Sequence, residues 1–230
     1  MPSGATLEQK KAIVLESLLP MLRNDLHKVV DSTCRDHGVP GPGPNFTAAM
    51  LCMVACEAMG RLSSDPSLDD DAATLEFLNM VARRSGDIRY EQAAKAIIVY
   101  FRHGIVHSFM PKWPDSVRAA VSWAQEAGGK DIGVCVDWLS SPPGAADLAK
   151  FRALHLIVRQ VFGERVFTLI PQVLYVDILG TVIAFEQALK QDDSTTLARL
   201  DEGFEKWWGR VSSIKGQLDD AGKRYLGIRS

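Results

Sequence analysis

The sequence predicts a mainly α protein, a helical bundle with small β-hairpins appended (α+β overall), and three observations carry that prediction. Apolar residues return at helical spacing through the first hundred residues and again through the last sixty. In between, around residues 117–169, apolar residues alternate with others at the period of strands. Glycine and proline punctuate the change from one texture to the next.

The first helical stretch runs from Thr6 to about His37. Leu7, Ile13, Val14, Leu18, Leu22, Leu26, Val29 and Val30 form its apolar stripe, and Pro20 is expected to kink or split it. The run Gly38-Val39-Pro40-Gly41-Pro42-Gly43-Pro44 ends it. Asn45 has the chemistry of an N-cap for a second helix, Phe46 to about Leu62. That helix is apolar almost all round, so it belongs at the centre of a bundle, and Glu57 is the one charge in its apolar body. A polar, acidic loop follows, then a third helix from about Ala72 to Arg84, closed by Gly86. A fourth, Tyr90 to about His107, carries Ala93, Ala94, Ile97, Ile98 and Phe101 on one side and stops before Pro111 and Pro114.

Beyond Pro114, Val117–Trp123 and Ile132–Trp138 alternate on either side of Ala127-Gly128-Gly129-Lys130, the pattern of a β-hairpin. A second hairpin is predicted from Leu154–Val161 and Arg165–Leu169 around Phe162-Gly163-Glu164. Helices resume over Gln172–Gln191 and Thr195–Tyr225. The organisation read from this is an N-terminal helical bundle (residues 1–112), a β-hairpin insertion (113–171) and C-terminal helices (172–230) that pack back on the bundle in one compact domain.

Bulk composition narrows the function classes. The 230 residues are 47% apolar and 23% charged, ordinary for a globular chain. A net charge of -2 gives no global pull toward nucleic acid or an anionic membrane, so any such surface must be a local patch. The cysteines Cys34, Cys52, Cys56 and Cys135 form no C-x-x-C pair, which fits a reducing, cytoplasmic setting. The first twenty residues lack the pattern of a signal peptide. Asp177 and Glu186 interrupt the longest apolar stretch, Val173–Leu189, so a buried helix is expected there and no membrane association.

Chemistry concentrates in Arg102-His103-Gly104-Ile105-Val106-His107, where an arginine and two histidines crowd the end of an apolar helix. His103 and His107 stand four apart and would share a helical face. Arg102 and His107 stand five apart, about 140° around an ideal helix. They converge only if the helix loosens near Gly104, or if a second copy of the segment completes the site.

An arginine, a polar residue, and a histidine four to six residues after the arginine form the hallmark of the HEPN superfamily, which this segment resembles from about Asn45 to Lys112. The resemblance implies a helical bundle that homodimerises and, in many members, cleaves RNA without a metal or other cofactor. It would make His107 the acid–base group, because an imidazole titrates near neutral pH. Arg102 would meet the phosphate and the charge of the transition state. His103 would orient the pair or supply a second proton function, Lys112 would hold a neighbouring phosphate, and Glu57 would orient Arg102 or His107. The expected substrate is single-stranded RNA, attacked by its own ribose 2′-OH.

Plainer readings stand beside each of these. Cations at a helix C-terminus satisfy its last carbonyls and its dipole. A degenerate domain would keep the motif as an interface network, leaving a structural homodimer or a nucleotide- or protein-binding module. Glu57 would serve equally as a carboxylate paired at the rim of a buried helix. Cys52 and Cys56 suit core packing better than a metal site, and no metal ligation is expected elsewhere. Trp207 and Trp208 read as one core and one partly exposed aromatic, and Asp69-Asp70-Asp71 as a solvated helix start. His27, His37 and His155 are isolated and read as structural or surface residues.

Overall fold

A computed structural model describes residues 5–33, 45–106, 132–136, 145–161 and 164–225. The Gly/Pro run, the 117–123 half of the first predicted hairpin, His107 and Lys112 lie outside the described residues.

The fold is mainly helical with one small sheet, as the sequence predicts. Helix α1 (Leu7–Ile13) begins at a capping box: the Thr6 hydroxyl accepts from the Gln9 amide at 3.3 Å, and the Gln9 side chain accepts from the Thr6 amide at 2.9 Å. Helix α2 (Leu19–Thr33) follows through a π-helical turn, Val14–Leu18. Pro20 has no N–H for the carbonyl four residues back, and the turn just before it widens instead of ending the helix.

Helix α3 (Asn45–Ser63) is the hub. Asn45 is its first residue rather than the cap outside it. Ala48, Ala49, Cys52, Met53, Cys56, Met59 and Leu62 are all fully buried. Helix α4 (Asp70–Ser85) packs against it. Asp69 caps α4 by accepting from the Ala72 amide at 2.8 Å, and Gly86 closes it at φ 72°, a left-handed conformation that suits glycine. The two helices touch where α3 has no side chain: a Cβ on Gly60 would sit 2.5 Å from the Ala73 carbonyl oxygen.

Helix α5 (Arg89–Ala96) runs directly into a π-helix, Ile97–Val106, where a plain α-helix to about residue 107 was expected. This π-helix packs on α3 and carries Arg102 and His103. The loosening that the sequence allows at Gly104 therefore begins seven residues earlier, at Ile97.

Among the described residues the predicted insertion forms a single sheet, and the pairing of the first predicted hairpin lies outside them. Strands β1 (Ile132–Val136), β2 (Ile157–Val161) and β3 (Glu164–Leu169) form one sheet in the order β1-β3-β2. The second hairpin is as predicted, with Ile157 opposite Thr168 and Val161 opposite Glu164, although β2 starts three residues later than read. Strand β1 pairs in parallel with β3, a partner not foreseen in the sequence, with Ile132 opposite Arg165 and Val136 opposite Leu169. A parallel pair requires a crossover, and helix α6 (Ala145–Arg152), unforeseen in the sequence, lies within it. Leu156, at φ 54°, turns the chain from α6 into β2, and its amide donates to the Thr168 carbonyl at 2.8 Å. The sheet docks on the π-helix through Phe167, whose ring lies 5.7 Å from that of Phe101 and 6.4 Å from that of Tyr100.

Helices α7 (Pro171–Lys190) and α8 (Ser194–Tyr225) complete the bundle, both packed on α3. Length and composition would let α7 cross a membrane, but here it is a core helix whose interrupting charges are paired. Glu186 accepts from Arg23 at 2.6 Å and from Lys190 at 2.7 Å. Helix α8 sits close enough to α3 that a side chain at Gly203 would collide with the Arg61 carbonyl. Lys10 of α1 is buried against α8, with Asp201 and Glu205 each 2.7 Å away. Phe204 stacks on Trp208 at 6.0 Å, and both Trp207 and Trp208 are half-buried rather than one in and one out.

Candidate functional site

Three elements meet at Arg102: the π-helix that carries it, α3 with Glu57, and the first turn of α4 with Asp71. The guanidinium is enclosed, leaving the residue 6% exposed. Its Nε and Nη2 donate to Glu57 Oε2 at 3.1 and 3.0 Å, and its Nη1 donates to Asp71 Oδ1. His103 shares the second carboxylate. Its Nε2 lies 2.9 Å from Asp71 Oδ2, the distance of a hydrogen bond in which a ring N–H donates to the carboxylate. Arg61, one turn along α3 from Glu57, contacts both Glu57, at 3.4 Å, and Asp70. Three carboxylates thus face two guanidiniums and one imidazole.

The network is graded from inside to outside. The Arg102 side chain is 7% exposed, that of Glu57 26%, that of His103 31% and that of Asp71 50%. A buried guanidinium needs acceptors for its donors, and here the carboxylates meet that need. The same carboxylates cancel the positive field that a phosphate would require at this point. The open edge is the Asp71–His103 pair, where a carboxylate holds one ring nitrogen of a partly exposed imidazole.

Of the residues singled out in the sequence, the structure brings together Arg102, His103 and Glu57. Glu57 accepts from Arg102, a contact that both the orienting role and the plain rim pairing expected of it would make. Asp70, Asp71 and Arg61 were not singled out as site residues. Asp69-Asp70-Asp71 does start a helix, with Asp69 as its cap, but the next two aspartates turn inward to arginines. A legible signal was present: Glu57 and Arg61 at i, i+4 on α3, followed across a short loop by excess acid. His107 and Lys112 fall outside the described residues.

A second polar cluster lies between α5, α6, α7 and the sheet, and no sequence motif announces it. Asp177 on the core helix is 5% exposed. It accepts from Tyr90 Oη at 2.8 Å and from Arg152 Nη1 and Nη2 at 2.7 and 2.6 Å, a two-pronged pairing. Arg89 pairs in the same manner with Asp87 at 2.8 and 2.6 Å, and donates to the carbonyls of His155 and Arg152. Burial alone would raise the Asp87 carboxyl, but the bonds and charge of Arg89 outweigh it and hold that carboxyl below its usual range. Burial of Tyr90, next to the charge of Asp177, pushes its phenol well above the ordinary value.

His155 is fully enclosed in this cluster. Its Nδ1 accepts the Ile170 amide at 2.9 Å, so the neutral ring carries its hydrogen on Nε2. Burial first, and then the Arg89 charge, push its pKa down to about 3. It is a neutral core histidine, one of the two roles expected for it. Cys52 and Cys56 are likewise core residues, with burial pushing the Cys52 thiol up to about 12. Among the described residues, no group of three or more His, Cys, Asp or Glu side chains is placed to hold a metal ion. Compared with protein-family models, curated proteins and solved structures, the chain matches none.

Proposed function

We propose that this chain is a non-catalytic helical binding module, in which the Arg102 motif fastens three helices together and is not the centre of a reaction. One observation carries the non-catalytic part of the reading: the Arg102 guanidinium is 6% exposed and its donors are directed at Glu57 and Asp71. A guanidinium that must bind a phosphodiester has to present free donors and net positive charge to solvent. This one presents neither. Its cost of burial is offset by two carboxylates that bind α3 and α4 to the π-helix.

A second reading, a metal-independent endoribonuclease of the HEPN kind acting as a homodimer on single-stranded RNA, is favoured by a different observation. The Asp71–His103 contact, at 2.9 Å on a partly open edge, resembles a carboxylate-held imidazole ready for proton transfer. In that reading His103 and His107 share the proton transfers. The two readings separate in one assay, in which the purified chain is incubated with a panel of single-stranded RNAs in the presence of a chelator. The module reading expects no cleavage above buffer. Cleavage that disappears in both His103→Ala and His107→Ala would overturn it in favour of the nuclease.

A further inference from the structure

Away from the Arg102 network, an open cleft of about 350 Å³ lies between the C-terminal half of α4, the middle of α7 and the first turns of α8. Its floor is apolar, built from Phe77, Met80 and Phe185. Its rim holds three arginines from two helices, Arg83 and Arg84 of α4 and Arg199 of α8, with hydroxyls from Thr195 and Thr196. Among the described residues no carboxylate lines it, although Asp193 borders it through the Thr196 hydroxyl. Arg199 is partly engaged, donating to the Ser63 carbonyl at 3.2 Å and lying 3.6 Å from Glu76 outside the lining. The Thr196 hydroxyl donates to Asp193 at 2.6 Å. Arg83 and Arg84 are exposed, and among the described residues no ion pair engages either.

Cations at the end of a helix favour its dipole, which would account for two arginines at the C-terminus of α4. It does not account for a third arginine reaching the same cleft from another helix, nor for a lining that holds no carboxylate among the described residues. Elsewhere in this protein the arginines Arg23, Arg61, Arg89, Arg102 and Arg152 are each paired with at least one carboxylate. Arg83 and Arg84 depart from that pattern, and they do so beside a concave apolar floor.

We infer that this cleft binds a small organic phosphate, a phosphate monoester on a flat apolar body of mononucleotide size. The charge matches: Arg83 and Arg84, unengaged among the described residues, and Arg199, shared with Glu76, face a group that carries about −1.5 to −2 at pH 7. Guanidinium forks donate in pairs to phosphate oxygens. Phe77 and Phe185 are buried beneath the cleft, and the partly exposed Met80 thioether and Ala184 offer apolar, polarisable surface to the body of the ligand. The volume lies at the small end of the range for ligand pockets, about 300–1,000 Å³, which admits a mononucleotide and excludes a helix or a duplex. This inference rests on the reading of the chain as a binding module and names what that module would hold.

The test is calorimetric titration of the full chain with adenosine 5′-monophosphate, adenosine, phenyl phosphate and inorganic phosphate. The expected order places the nucleotide and phenyl phosphate above inorganic phosphate, with adenosine weakest. Arg83→Gln combined with Arg84→Gln, two exposed positions, should weaken nucleotide binding about tenfold or more, since each charge-assisted bond is worth at least that much. Ala184→Phe, which fills the cleft from its wall, should weaken it independently of charge. No heat with any phosphate at millimolar ligand overturns the inference, as does equal affinity for inorganic phosphate and nucleotide, or indifference to both sets of substitutions. RNA cleavage with nucleotide binding intact would overturn the module reading alone. Silent titrations without cleavage would overturn this site alone.

Discussion

Replacing Arg102 with methionine keeps much of the aliphatic volume and removes the guanidinium, and the structure sets the size of the consequence. Removing one partner of a fully buried ion pair costs about 3–5 kcal/mol, because the other charge is left unpaired in a poor solvent. Exposed pairs are worth only about 0.2–1 kcal/mol. Arg102 itself is buried, but its partners are not: the Glu57 side chain is 26% exposed and that of Asp71 50%. Glu57 also keeps Arg61 at 3.4 Å. The orphaned carboxylates can therefore hydrate in part, and the loss should fall between the limits, at about 2–3 kcal/mol. With a urea slope of about 1–3 kcal/mol per molar, the unfolding midpoint should drop by roughly 1 M. Glu57→Gln should then cost less in the Arg102→Met background than in the parent, a coupling of about 1–2 kcal/mol. An Arg102→Met midpoint within about 0.2 M of the parent, with unchanged slope, would refute a structural role for the Arg102 network, since the guanidinium would then be no better placed in the fold than in water.

Further outcomes follow from other contacts. Gly60→Ala should lower stability by about 1–3 kcal/mol in thermal unfolding, because its Cβ would meet the Ala73 carbonyl and the helices would have to part. Gly86→Ala, in open space but at φ 72°, should cost about 1 kcal/mol through backbone strain alone. Asp177→Asn should cost about 2–3 kcal/mol in urea unfolding, because Arg152, itself 28% exposed, loses its nearest carboxylate and keeps Asp87 only at 3.7 Å. For His155 the folded ring stays neutral to about pH 3, while an unfolded histidine takes its proton near 6.5. Its contribution is whole above about pH 6.5 and declines as the pH falls toward that lower value, by up to about 1.4 kcal/mol per pH unit. Urea titrations between pH 7 and 5 should show this slope, and His155→Asn should flatten most of it.

How much of this was legible in the sequence varies by element. Helices announced by periodicity and punctuation came out within about three residues, as with α4, where Asp69 caps and Gly86 closes. The sheet was half legible. Local turn chemistry fixes a hairpin, so β2 and β3 could be read, whereas the parallel partner of β3 is set by a crossover that no short pattern records. The π-helix was not legible, because its residues are apolar at spacings that an α-helix would also accept. At the site, Arg102 and His103 stood out as cations on an apolar helix. Their partner Asp71 did not, since an acidic first turn already has a sufficient local reason to exist. The Tyr90–Asp177–Arg152 cluster was invisible, because its members come from three distant segments that only packing brings together. The Arg83–Arg84–Arg199 cleft was hidden for the same reason.

The Arg102 guanidinium is enclosed within a single protomer and unavailable to a phosphodiester. Its Nε–H resonance in a nitrogen-edited NMR spectrum reads this directly. The signal should be protected from exchange with water at neutral pH, lost in Glu57→Gln, and unmoved by single-stranded RNA. A signal that exchanges freely and shifts on addition of RNA would contradict that enclosure.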